Sequence, residues 1–392
     1  MIDQLNDFIN VLKYLRNKLI VYFSIFFKFF PINNRKIVIS NFYGKGYGDN
    51  AKYIVEEILS RNIDFDIVWL VKTNLEENFQ FPSRVRRVRY GSFKSIFELA
   101  TSKIWIDNFR KSLYPLKRAE QYYIQTWHGG LGVKKIEGDA AEKLNNLYLK
   151  IAKNDSKMAD LFISNSTHLT NIYKRAFWYS GEILECGYPK NDIFFQDNSN
   201  KKIKIRDYYG FDNNTKIVLY APTFRANNSL DSYNINYSLL IETLEEKTND
   251  NWVVLIRLHP NLIGSDNEIQ YSDRIINATH YPDMQELVIG CDALISDYSS
   301  CMFDSEMMKI PTFIYASDLD EYMKDRGSYF EFDELPFPVA TNNEELMNNI
   351  INFDQVKYEQ DVDNFNNKVG LKDTGDAARQ IVDVILKVSI EK

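Results

Sequence analysis

The side chains best placed to do chemistry are two histidines, His128 in Gln125-Thr126-Trp127-His128-Gly129-Gly130 and His259 in Arg257-Leu258-His259-Pro260. Both follow apolar, strand-like runs and stand beside glycine or proline. That is where α/β enzymes present polar groups to a ligand, at the carboxyl ends of parallel strands. An imidazole takes a proton readily near neutral pH, so His128 is assigned as general base on an acceptor hydroxyl. Gly129 and Gly130 would let a substrate approach the backbone, and Lys134 and Lys135 would attract phosphate. Arg257, two residues before His259, shares its face on a strand. The pair suits a diphosphate, the guanidinium by forked hydrogen bonds and the imidazole by donation. Arg225 closes Ala221-Pro222-Thr223-Phe224-Arg225 after another strand and is an anion-binding candidate. Ser299 and Ser300 precede a helix whose free amides would bind phosphate, with Asp304 one turn in and directed with Ser300 at a ligand hydroxyl. No Asp-x-Asp stands next to these residues, so neither a metal nor another cofactor is expected. His168 and His280 lack supporting neighbours and read as structural.

Positioning such groups takes strands that end together. After residue 35, short apolar runs alternate with helical stretches, which predicts βαβ units and parallel sheets. Strands are expected at Lys36–Ser40, Asp66–Val71, Lys103–Ile106, Tyr122–Thr126, Leu161–Ser164 and Ile183–Cys186 in the first half. The second half repeats the pattern at Lys216–Tyr220, Trp252–Arg257, Arg274–Ile276, Ala293–Ser296 and Thr312–Ile314. At 392 residues, 45% of them hydrophobic, the chain is long and apolar enough for two cores. The expected architecture is α/β and GT-B-like, two Rossmann-like domains facing a central cleft. Residues 35–195 form the acceptor-side domain and 196–392 the donor-binding domain. Gly44, Gly46 and Gly48 do not match the dinucleotide fingerprint in spacing.

The formal charge of −7 excludes broad nucleic-acid binding. Three cysteines without paired spacing point to a reducing compartment and to neither a disulfide framework nor a zinc site. Leu19–Phe30 is about a dozen apolar residues, short of the ~20 that span a bilayer. With Phe8, Leu12 and Leu15 at helical spacing beside Lys13, Arg16 and Lys18, residues 1–34 read as a helix lying on the membrane surface. The competing expectation is a helix packed on the protein itself.

Taken in order, these segments resemble the CDP-glycerol glycerophosphotransferase family, which primes and polymerises teichoic acids and capsule polymers. The resemblance also rests on Asn50, Gly187-Tyr188-Pro189-Lys190-Asn191-Asp192, Ser296-Asp297-Tyr298-Ser299-Ser300, Tyr322 and Arg326-Gly327-Ser328-Tyr329-Phe330. It implies transfer of glycerol phosphate from CDP-glycerol to a lipid-linked acceptor at the cytoplasmic face of the membrane, with release of CMP. It implies that His128 and His259 are essential, and that Arg225, Ser299, Ser300 and Asp304 line the donor site. One departure is His128-Gly129-Gly130-Leu131-Gly132-Val133-Lys134 where the family often reads His-Gly-Thr-Pro-Leu-Lys, in a loop expected to meet the acceptor. Lys190 likewise replaces a common arginine. The alternatives are a CDP-ribitol ribitolphosphotransferase, a GT-B glycosyltransferase using a sugar nucleotide, and a non-catalytic membrane scaffold.

Overall fold

The computed structural model describes residues 12, 15–17, 19–22, 24–72, 80–112, 114–223, 225, 234–258, 262 and 269–390. The chain divides into two α/β units. One comprises Met1–His128, Ile136–Asp192 and Lys372–Lys392, the other Gly129–Lys135 and Ile193–Leu371.

The first unit is built on β1 (Asn33–Ser40), β2 (Asp66–Val71), β3 (Val85–Arg89), β4 (Ser102–Asp107), β5 (Tyr122–Gln125), β6 (Leu161–Ser164) and β7 (Glu182–Glu185). All pair in parallel in the order β3-β2-β1-β4-β5-β6-β7. The central strands are buried on both faces, which is why their middles read as apolar runs. Val38, Val68, Leu70, Leu99, Trp105 and Tyr123 share one core. β3, Val-Arg-Arg-Val-Arg, has no such signal. It is an edge strand that buries only Val85 and Val88, while Arg86 pairs with Asp66 and Glu98.

The C-terminal helix Ala377–Ile390 belongs to this first unit, whereas the sequence places it in the second domain. It packs on the helix Asp49–Ser60, and its start is held by Asp192, which accepts from the amides of Ala377 (3.0 Å) and Ala378 (2.7 Å). The Gly187–Asp192 segment is built around this return of the chain. Asp373 accepts from the Tyr188 amide (2.8 Å) and from Asn191 Nδ2 (3.1 Å). Gly187 has φ +85°, and a Cβ there would come within 2.9 Å of the Asp373 backbone.

The second unit holds β8 (Lys216–Tyr220), β9 (Trp252–Ile256), β10 (Ile275–Asn277), β11 (Ala293–Ser296), β12 (Thr312–Tyr315) and β13 (Val339–Ala340), parallel in the order β10-β9-β8-β11-β12-β13. Residues 129–135, assigned by sequence to the first domain, belong here. Leu131 and Val133 are buried, Lys134 bridges Ser328, and the Val133 carbonyl accepts from the Tyr329 amide (2.6 Å).

Both sheets follow the Rossmann order, which reverses between β1 and β4 in one and between β8 and β11 in the other. Loops that leave such a switch point bound the crevice where ligands of open α/β sheets bind.

At the N-terminus, residues Ser24–Phe29 form a 3-10 helix. Phe27 packs edge-on against Phe93 and Phe97, and Arg118 Nη1 donates to the carbonyls of Lys28 and Phe30, each at 3.0 Å. Leu12, Leu15, Leu19, Tyr22, Phe26 and Phe29 are nonetheless exposed. No helix of the described residues is long and apolar enough to cross a membrane. Residues 1–11, Lys13 and Lys18 of the expected amphipathic helix lie outside the described residues.

Candidate active site

His128 follows β5 and is joined by the loops that leave the β1/β4 switch point. Trp127 takes a left-handed backbone, φ +53°, which turns the chain sharply before the histidine. That turn is held from both sides. The Trp127 amide donates to Gln125 Oε1 (3.0 Å), and its carbonyl accepts from Asn50 Nδ2 (3.1 Å). Asn50 Oδ1 in turn accepts from the Lys190 amide (3.2 Å), which gives these two motif residues a common role.

His128 Nδ1 lies 2.9 Å from the Asn108 carbonyl oxygen. A carbonyl only accepts, so Nδ1 carries the proton and Nε2 of the neutral ring keeps its lone pair. The ring is half-buried among Trp127, Phe109 and Phe42, with centroids at 4.4, 5.2 and 5.3 Å. This burial draws its pKa down from 6.5 to about 4. The Asn108 carbonyl opposes the shift, and the charges of Lys190 and Arg110 add to it.

Arg110 is fully buried beneath this site, 4.3 Å over Phe177 and 5.2 Å from the Trp127 ring. Its charge is matched by Glu137 (2.5 Å) and Asp155 (3.2 Å), and Asp155 also receives Gln125 Nε2 (3.1 Å). This network was not read from the sequence. Its only local mark is Asn108-Phe109-Arg110, where polar residues appear directly after β4.

In the second unit, Arg225 is brought to the β8/β11 switch point, where its expected role meets competition. Its guanidinium donates to Asp318 (2.6 and 3.0 Å), Asp297 (2.8 Å) and the Thr223 carbonyl (2.5 Å). Two carboxylates thus already occupy the one guanidinium. Tyr298 and Tyr322 stack 3.5 Å apart beside Arg225, and Lys134 Nζ lies 5.4 Å from the Tyr322 ring. The structure thereby joins Lys134, expected on the acceptor side, to the arginine expected on the donor side.

Arg257 is different. It is half-buried, its side chain donates to the Tyr281 carbonyl (2.8 Å), and no salt bridge to it occurs among the described residues. Desolvation lowers its pKa, with Asp283 the leading opposing charge. His259 lies outside the described residues, as does Phe224.

Ser299 Oγ accepts from the Cys301 amide (3.4 Å), and Ser300, half-exposed with helical φ/ψ, makes no capping bond. The helix they introduce, Cys301–Glu306, is a turn and a half long, so it offers free amides more than a sizeable dipole. Asp304 is buried and accepts from Gln285 Nε2 (3.2 Å). The carboxylate expected to face a ligand hydroxyl is thus held toward Gln285. Lys135 donates its amide to Gly327 (3.3 Å), while Gly129 and Gly130 are half-buried at the crossing between the units' residue ranges.

Residues 20–387 match the family described as CDP-glycerol:poly(glycerophosphate) glycerophosphotransferase. The chain belongs to this family. It is 31% identical over 373 residues to a teichoic acid poly(glycerol phosphate) polymerase of Staphylococcus epidermidis, covering 91% of this chain and 51% of that one. It is 28% identical over 391 residues to a polymerase of the same description from Bacillus spizizenii, covering 96% and 98%. The chain therefore spans about half the length of the first relative and nearly all of the second. Solved structures of the wall teichoic acid polymerase TagF superpose with a TM-score of 0.82, one of them a histidine-to-alanine variant at 28% identity that covers 98% of each chain. Another is a histidine-to-asparagine variant soaked with CDPG, at 27% identity and coverage of 99% of this chain and 98% of that chain.

Proposed function

We propose that this glycerophosphotransferase transfers glycerol phosphate from CDP-glycerol to a hydroxyl of a lipid-linked acceptor, in teichoic acid or capsule-type polymer synthesis. The observation that carries the reading is the oriented imidazole of His128 at a switch point, in a chain of this family. Nε2 takes the proton of the acceptor hydroxyl. The oxygen then attacks the β-phosphorus of CDP-glycerol, the bond from that phosphorus to the α-phosphate oxygen breaks, and CMP leaves. Charge spreads over phosphoryl oxygens in such a transfer, so positioned cations and amides stabilise it. Arg257 is the foremost candidate for that task, together with His259, Arg225 and the Ser299–Ser300 amides.

The exposed row Leu12, Leu15, Leu19, Tyr22, Phe26 and Phe29, with Arg16 and Lys28 beside it, supports seating on the cytoplasmic face of the membrane. A membrane-seated enzyme would meet a lipid-linked acceptor without extracting it.

Purified protein given CDP-glycerol, CDP-ribitol or sugar nucleotides, with and without a lipid-linked acceptor, tests the reading. Acceptor-dependent CMP from CDP-glycerol is the expected result, falling roughly 10²–10⁴-fold in His128→Ala. CMP from CDP-ribitol alone would reassign the donor. A nucleoside diphosphate from a sugar nucleotide would reassign the reaction to glycosyl transfer.

A further inference from the structure

We propose that Asn41 and Asn108 are positioning residues that fix the catalytic tautomer of His128. The inference rests on His128 being the general base. Asn41 directly follows β1 and Asn108 directly follows β4, so the pair straddles the point where the sheet order reverses. The two amides lock each other. Asn108 Nδ2 donates to Asn41 Oδ1 (2.6 Å), Asn41 Nδ2 donates to the Lys45 carbonyl (3.1 Å), and Asn108 Oδ1 accepts from the Phe42 amide (2.9 Å). Backbone groups at both ends of this chain of hydrogen bonds leave no freedom in which way either amide points. Both side chains are buried, so water does not substitute for the partners they find in each other.

The consequence falls on the main chain of Asn108. With its side chain tied to the β1 loop, its carbonyl oxygen is held 2.9 Å from His128 Nδ1. Were that carbonyl to swing away, Nδ1 and Nε2 would compete for the single proton of the neutral ring. Any molecule protonated on Nε2 would present a donor, not a base, to the acceptor hydroxyl. The asparagines thus do through a peptide carbonyl what a buried carboxylate does for the histidine of a hydrolase triad.

The test uses full-length protein carrying ¹⁵N-labelled histidine, in which four histidines give few signals and His128→Gln assigns the one of interest. The imidazole nitrogens report the tautomer directly, and kcat and the KM for CDP-glycerol are measured on the same samples. Wild type is expected as a single species with Nδ1 protonated. Asn108→Ala and Asn41→Ala should each show mixed tautomers and a kcat lower by about a hundredfold, with the donor KM unchanged. Asn41→Ala leaves the Asn108 loop chemically intact, so it stands if Asn108→Ala fails to fold. An unchanged tautomer in the alanine variants overturns the proposal. So does an altered tautomer with unaltered kcat in an enzyme that His128→Ala inactivates. Full activity in His128→Ala would instead remove the base assignment itself, whatever the nitrogens report.

Discussion

Lowering the pH toward 5.5 should leave the His128 base almost untouched, although that is where an ordinary histidine stops working as one. Burial among three aromatic rings takes its pKa from 6.5 to about 4. At pH 5.5 a group of pKa about 4 is almost wholly neutral, whereas a group at 6.5 retains about a tenth of its base form. The acid limb of kcat/KM, which reports the free enzyme, should therefore show no loss from His128 above about pH 5. The ring's own titration, followed by NMR through its carbon-bound protons, separates it from the titrating phosphates of the donor. Stability carries the same shift with a definite sign. Below pH 6.5 the unfolded chain takes up a proton that the folded site refuses, so this contribution is complete above 6.5 and is lost as the pH falls to about 4. Each pKa unit corresponds to 1.36 kcal/mol, which makes the loss about 3 kcal/mol at most. Relative to wild type, His128→Gln should gain that amount between pH 7.5 and pH 4 in denaturant unfolding. A midpoint near 6.5 for His128, with kcat/KM falling tenfold by pH 5.5, would refute the account of its burial.

Arg257→Gln should weaken CDP-glycerol binding roughly ten- to a hundredfold, the usual worth of a charged hydrogen bond, without destabilising the fold; calorimetric titration with the donor checks it. Arg110→Leu should cost about 3–5 kcal/mol in denaturant unfolding, because it strands Glu137 and Asp155 without a counter-charge. Asp318→Asn removes one of two carboxylates from Arg225 and should tighten CDP-glycerol binding, whereas an unchanged or weaker Kd would mean that Arg225 does not meet the donor.

Much of the fold was legible because parallel strands buried on both faces announce themselves. Asp66–Val71, Leu161–Ser164, Lys216–Tyr220 and Ala293–Ser296 fall where their apolar runs predict. The elements that escaped lie at sheet edges or outside strands, where half the residues face water. β3 hides two core valines among three arginines, and β13 is two residues long. The helix Ser199–Tyr209 carries no apolar periodicity, because its polar composition conceals the burial of Ile205 and Arg206. The domain ranges diverge for a related reason. Nothing in the composition of 372–392 reveals that Asp192 caps this helix from nearly 200 residues away.

At the site, residue type predicted position better than it predicted partners. His128, Arg225, Arg257 and the two serines all stand at carboxyl ends of strands or in the loops that follow, as the motif-after-strand pattern required. What those side chains are free to do depends on groups distant in sequence. Arg225 and Arg257 looked equivalent, each an arginine at the end of a strand, yet Asp297 and Asp318 occupy the first and no carboxylate pairs with the second among the described residues. An anion approaching Arg225 competes with two carboxylates already in place, while at Arg257 it meets a desolvated cation whose charge is held at some cost. On the proposed reading, a diphosphate would relieve that cost on binding. On that reading the free energy of recruiting the donor is better sought at Arg257, which has fewer partners than Arg225 among the described residues.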